Sequence, residues 1–219
     1  MGYTLADLAQ RVIDDKLDDI SFDTTIVSRF INDTQRDIFN TYELPFNEKA
    51  YIGLMPIGEC LFKMPNDCQL VQAAVITNPD GSQKDIMPGF LDFRTFVSRF
   101  KTPYQEVASE VRFWTLYAKQ IYTSAPIDKA YSLELFYIKK PIELIDGADI
   151  PEIPEEFGEL LVLGAFRRVL ERNEDYDLAS VINGQYGTLL DKMVARYGYR
   201  MAAGPIKLKM PNRGQVRRS

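Results

Sequence analysis

A chain of 219 residues with 46% apolar and 26% charged side chains is long enough to bury a sizeable core and too apolar for wholesale disorder. It holds no histidine, which removes the commonest general base and metal ligand, and its two cysteines, Cys60 and Cys68, are too few for a zinc site or a disulfide framework. Six of the 26 basic residues and none of the 31 acidic ones lie in 200–219, so residues 1–199 carry 20 against 31, a net −11, while the last twenty carry +6.

In chain order, Met1 to Arg11 lacks the basic start and apolar run of a signal peptide. Thr4 is placed to cap a helix over Leu5 to Asp15, with Leu5, Leu8, Ala9, Val12 and Ile13 at helical spacing. After a polar stretch, Thr24 or Thr25 caps a second helix running to about Tyr42. Ile26, Val27, Phe30, Ile31, Thr34, Ile38 and Phe39 form its apolar stripe, and Arg29, Asn32, Asp33, Arg36 and Asp37 its wet face. Leu44-Pro45 ends it.

From Pro45 to Pro141 the period changes to that of strands. Tyr51 to Met55, Glu59 to Met64 and Gln69 to Thr77 are short, β-branched or aromatic, and separated by Pro/Gly/Asn turns. Asn78-Pro79-Asp80-Gly81 predicts a turn between antiparallel strands. Leu91 to Phe100 reads as a short helix, then Val111 to Tyr117 and Gln120 to Thr123 as strands. In the last strand Tyr131, Leu133, Leu135 and Tyr137 alternate with Ser132, Glu134, Phe136 and Ile138. The expectation is an antiparallel sheet or small sandwich.

Two helices follow. Pro154 suits a first helical position, with Glu155 and Glu156 against the helix dipole. Phe157, Leu160 to Leu163, Ala165 and Phe166 are apolar nearly all round, so this helix is expected to be buried. Asn173-Glu174-Asp175 turns the chain into Tyr176 to Tyr197, whose stripe runs through Leu178, Val181, Ile182, Tyr186, Leu189, Leu190, Met193, Val194 and Tyr197, with Gly184 and Gly187 inside it. The fold class expected is therefore α+β: bundle helices in 1–44, a β-rich insert in 45–141, a helical hairpin in 142–199 completing the bundle, and an extended basic arm in 200–219.

Chemistry is sparse. No phosphate-binding loop, dinucleotide fingerprint, nucleophile elbow or zinc-protease motif is present. Glu155 and Glu156 are adjacent on a helix and point about 100° apart, so they cannot flank one bond. Asp146-Gly147-Ala148-Asp149 lacks the ligand count of a calcium loop. Phe113, Trp114, Tyr117 and Tyr122 beside Arg112 and Lys119 invite a single-strand stacking platform, but alternating aromatics in an acidic body favour core. No catalytic residue, metal or cofactor is expected, and no apolar run reaches the roughly 18 residues of a membrane span. The basic arm with its spaced Ile206, Leu208 and Met210 is the feature that favours a partner.

One resemblance adds to this. The N-terminal helix pair (Thr24 to Tyr42), a β-rich insert ending in Leu135-Phe136-Tyr137-Ile138-Lys139-Lys140-Pro141, then Asp149-Ile150-Pro151-Glu152-Ile153-Pro154-Glu155-Glu156-Phe157 and Leu160-Leu161-Val162-Leu163-Gly164-Ala165 resemble the head-to-tail adaptors of tailed bacteriophages, including the tail tubular adaptor of short-tailed phages. The densest likeness covers about 35 residues, and the order of elements extends it along the chain. The resemblance implies a non-enzymatic virion protein of the neck, assembled in the host cytoplasm. It would form a homo-oligomeric ring, usually of twelve, between the portal and a tail nozzle or tail-tube protein, with genomic DNA passing through without sequence recognition. It also implies that the arm clasps the portal, through Arg200, Ile206, Lys207, Leu208, Lys209, Met210, Arg213, Arg217 and Arg218. The alternative is another neck component, such as a tail terminator or completion protein.

Overall fold

In a computed structural model that describes residues 2–17 and 22–198, two hydrophobic cores form, one among helices and one between sheets. The helical core gathers the N-terminal and C-terminal segments of the chain. Helix α1 (Leu5–Arg11) is capped by Thr4, whose hydroxyl accepts from the Asp7 amide while Asp7 reaches back to the Thr4 amide. At Val12 it widens into a π-helical turn, Val12–Leu17, and so ends as an α-helix earlier than its apolar spacing suggests.

Helix α2 (Thr24–Thr41) is capped by neither threonine. Asp23 takes that place, its carboxylate accepting from the Thr25 amide at 2.8 Å. Pro154 likewise stands outside its helix: with φ −53° and ψ 138° it is extended, and a 3₁₀ turn over Glu155–Phe157 leads into α4 (Gly158–Arg172). A proline φ serves an extended residue as well as a helical one, and ψ decides between them. As expected, α4 is buried almost all round, from Leu160 through Phe166 and again at Val169 and Leu170.

Helix α5 (Tyr176–Tyr197) returns against α4 after a tight turn in which Glu174 takes a positive φ of 63°. Its packed strip is narrower than predicted. Ala179, Ile182 and Met193 are buried, Tyr186, Leu189, Leu190 and Tyr197 partly so, and Leu178 and Val181 are exposed. Helix α4 is its principal partner, so the flanks of the stripe have nothing to face among the described residues.

The insert holds two antiparallel sheets. One has four strands in the order β1 (Glu48–Met55), β7 (Tyr131–Lys139), β3 (Cys68–Thr77), β4 (Gln83–Asp85). The other has three, β2 (Leu61–Lys63), β6 (Gln120–Thr123), β5 (Trp114–Tyr117). The β3–β4 turn is the predicted Asn-Pro-Asp-Gly, with Gly81 at φ 85°. Tyr131, Leu133, Leu135 and Tyr137 all point into the core between the sheets. Helix α3 (Phe93–Arg99) packs on β5, and Val111 to Phe113 lead into that strand without joining it. Among the described residues, no helix is long and apolar enough to cross a membrane.

Candidate assembly surfaces

The polar residues that read as chemistry in the sequence serve the backbone instead. Asp149 accepts from the amides of Ile145 (2.7 Å) and Asp146 (2.8 Å), while Asp146 accepts from Ala148. The carbonyls of Asp149 and Gly147 in turn accept from Leu5 and Ala6, the first amides of α1, which have no partner inside their own helix. This acidic loop is an external cap for α1.

Asn32 does not lie on the wet face of α2. It is buried, with its amide donating to the Leu144 carbonyl and its oxygen accepting from the Leu144 amide, both at 2.8 Å. One turn on, Gln35 donates to the Ile142 carbonyl and accepts from the Glu152 amide. Two side chains of α2 thus bind the segment that returns from the insert, as a neighbouring strand would. Lys139, at the end of β7, pairs with Glu152 in the same place. Nothing in the apolar periodicity marks Asn32 or Gln35, because period analysis sorts side chains by polarity and both are polar.

The aromatic group around β5 forms no open platform. Trp114 is fully buried and donates to the Ile86 carbonyl at 2.6 Å. Phe93 of α3 stacks on Tyr117 at 3.9 Å and meets Tyr122 edge-on, so the rings cover one another. Arg99 lies over Phe113 at 5.5 Å. No group of three or more His, Cys, Asp or Glu is placed to hold a metal ion among the described residues.

Exposed apolar side chains are spread over several elements, among them Val107, Ile142 and Ile145 in loops, and two groups lie on regular elements. The first is the outer face of β1, an edge strand, where Ile52 is 69% and Leu54 71% exposed. The second is α5, where Tyr176, Leu178 and Val181 are exposed and Gly184 and Gly187 have open space where a Cβ would stand. Neither glycine permits a close approach within the described chain. Replacing Gly184 by alanine is therefore expected to raise the stability of the free protein by about 0.5–1 kcal/mol, read as an increased urea midpoint. A decrease would mean that this face already packs against something.

Strand β1 is held at its base by Asp67. One oxygen of that carboxylate accepts from Lys49 of β1 at 2.7 Å, the other from the Tyr137 hydroxyl of β7 at 2.9 Å. Burial pushes the Asp67 carboxyl up, but the Lys49 ammonium and the Tyr137 hydroxyl outweigh it and hold the group below its ordinary value of 3.8. A depressed carboxylate contributes stability above its unfolded value, and that contribution is lost as pH falls through the lower folded value. Unfolding of Asp67→Asn is thus expected to depend less on pH than the parent below about pH 4. Asp67→Ala, which leaves the buried Tyr137 hydroxyl without an acceptor, should cost about 1–3 kcal/mol.

The end of α5 is fixed beside the start of β1. Tyr197 packs against Phe46 (5.9 Å between ring centroids) and Phe157 (6.0 Å), and its hydroxyl donates to Glu156 at 2.6 Å. Arg196 pairs with the same carboxylate. The predicted arm residues Arg200, Ile206, Lys207, Leu208, Lys209, Met210, Arg213, Arg217 and Arg218 lie outside the described residues.

The chain is thus an α+β protein in which the acidic loop caps a helix, the buried amides clamp backbone, and exposed apolar side chains include those of a sheet edge and a helix flank. Residues 3–209 match the family model described as SU10 adaptor protein, and the chain belongs to that family, a phage head-to-tail adaptor family with a structural role. No curated protein matches it.

Proposed function

We propose that the protein assembles into a ring, twelve copies in the resemblance noted above, seated between the portal and the tail of a phage virion. The ring extends the channel for DNA and offers the tail its attachment site, without catalysis. The family match over residues 3–209 carries this reading. Two further features support it. The body of the chain is acidic, net −11 over residues 1–199, so a channel wall built from it repels the genome and lets it slide. The exposed apolar side chains on α5 are of the kind that neighbouring copies cover.

Free protein is expected to be monomeric or weakly associated and to form a closed ring only when mixed with purified portal rings. Electron microscopy and mass measurement of the mixture test this; a closed ring without portal, or no complex with it, would count against the proposal. In the same reading the basic arm binds the portal. Deleting residues 200–219 should abolish portal binding and leave the helical circular dichroism signal unchanged. Unaltered binding would remove the arm from the mechanism.

A further inference from the structure

The four strand edges of the insert are not alike. Strands β2 and β4 are three residues long and β5 four, and β4 reads Gln-Lys-Asp, so these edges are short or charged. Strand β1 is eight residues long, pairs with β7 without a break in register, and from Ala50 to Met55 holds no charge and no proline. A long, regular, apolar edge is a template for another strand unless it is covered. Beneath it, between β1 and β2, runs a groove of about 200 Å³ lined by Tyr51, Met55, Pro56, Leu61, Phe62 and Leu133.

We propose that residues 205–210 of this same chain cover that edge as an added strand. Three observations favour this occupant. Ile206, Leu208 and Met210 alternate with Lys207 and Lys209, a period of two with one apolar and one basic face. The apolar side chains match the groove. The two lysines then fall on the outer face, where Glu134 stands opposite Ile52 and the lysine stems lie across Ile52 and Leu54.

The third observation is where the chain leaves α5. Tyr197 is packed on Phe46, two residues before β1 begins, so the described chain ends at Gly198 near the base of that strand. Residues 199–205 reach at most about 24 Å. Strand β1 is about 26 Å long. Travelling its whole length and turning back would exhaust the connection, whereas running beside it in the same direction leaves slack. The added strand is therefore parallel to β1, and residues 211–219 emerge at its Met55 end. Neither a ring nor a portal enters this inference, so the free protein tests it.

The test uses the full chain with Ile52→Cys combined with either Lys207→Cys or Lys209→Cys, oxidised mildly at high dilution. Cys60 is buried and burial pushes the Cys68 thiol up to about 11, so the native thiols compete poorly at neutral pH. One of the two pairs is expected to close within a single chain, while Val181→Cys with the same arm cysteines, placed on α5, does not. In parallel, Leu208→Pro in the otherwise natural chain should speed amide exchange over residues 48–55 by about tenfold or more. Cross-links only between copies, equal cross-linking to Val181→Cys, or unchanged exchange in β1 would each overturn the proposal.

Discussion

Replacing Gly164 with alanine is expected to destabilise the protein by about 1–3 kcal/mol, although alanine is the better helix former by about 1 kcal/mol. A Cβ at that position would stand 2.3 Å from Cγ2 and 2.7 Å from Oγ1 of Thr34. Thr34 cannot swing aside. It is buried in α2, β-branched, and its hydroxyl donates to the Phe30 carbonyl at 2.8 Å. The two helices must separate instead, and they share the core that the rest of the bundle packs around. Thr34→Ala removes both clashing atoms, so the double variant should be more stable than the sum of the two changes predicts, by about 1 kcal/mol or more. Urea unfolding of the four proteins checks this. Gly164→Ala with parent stability would show that α2 and α4 do not approach closely at this point.

Asn32→Leu is the second change with a large expected effect. The leucine fits the apolar surroundings, but it leaves both the amide and the carbonyl of Leu144 without a partner in the interior. With about 1–3 kcal/mol for each of the two stranded groups, the loss should be about 2–6 kcal/mol. Its local signature is distinct from a general loss of stability. Exchange of the Leu144 amide should quicken more than that of amides in β3, because the segment over 142–152 loses its hold on α2 while the sheet keeps its own ladder. Uniform acceleration across the chain would argue against a local clamp.

Much of this fold was legible in the sequence wherever a periodic apolar stripe coincided with a single buried face. Strand β7 is such a case, while α4 was legible as an apolar run buried on nearly every side, and the Asn-Pro-Asp-Gly turn and the α5 boundaries from their residue types. Other features escaped because they depend on who the neighbour is. Asn32 looks like a solvated residue until Leu144 is brought against it. Asp146 and Asp149 look like a weak cation loop until the first turn of α1 arrives above them. Thr24 and Thr25 are good caps by type, but Asp23 stands one residue earlier and has the stronger acceptor.

Surfaces are harder still. Ala50 to Met55 reads as a uniformly apolar run, and nothing in it says that β1 lies at the edge of its sheet. That property comes from strand order, which is set by pairings far apart in the chain, Glu48 with Ile138 for example. The basic charge and the alternation over 205–210 are visible in the sequence alone, since both belong to consecutive residues. A partner for that segment is not legible there.

The pairing of β1 with β7 has a broader consequence. They are the first and last strands of the insert, and they lie side by side from Glu48 opposite Ile138 to Met55 opposite Tyr131. The chain therefore leaves the helices and comes back to them at one spot, as if through a two-stranded stem. Everything beyond that stem can lengthen, shrink or be exchanged without altering the path of the chain through the bundle. A lineage could thus remodel the insert to meet a different neighbour while keeping the same helices, provided that the amide clamp on α2 still receives the returning strand.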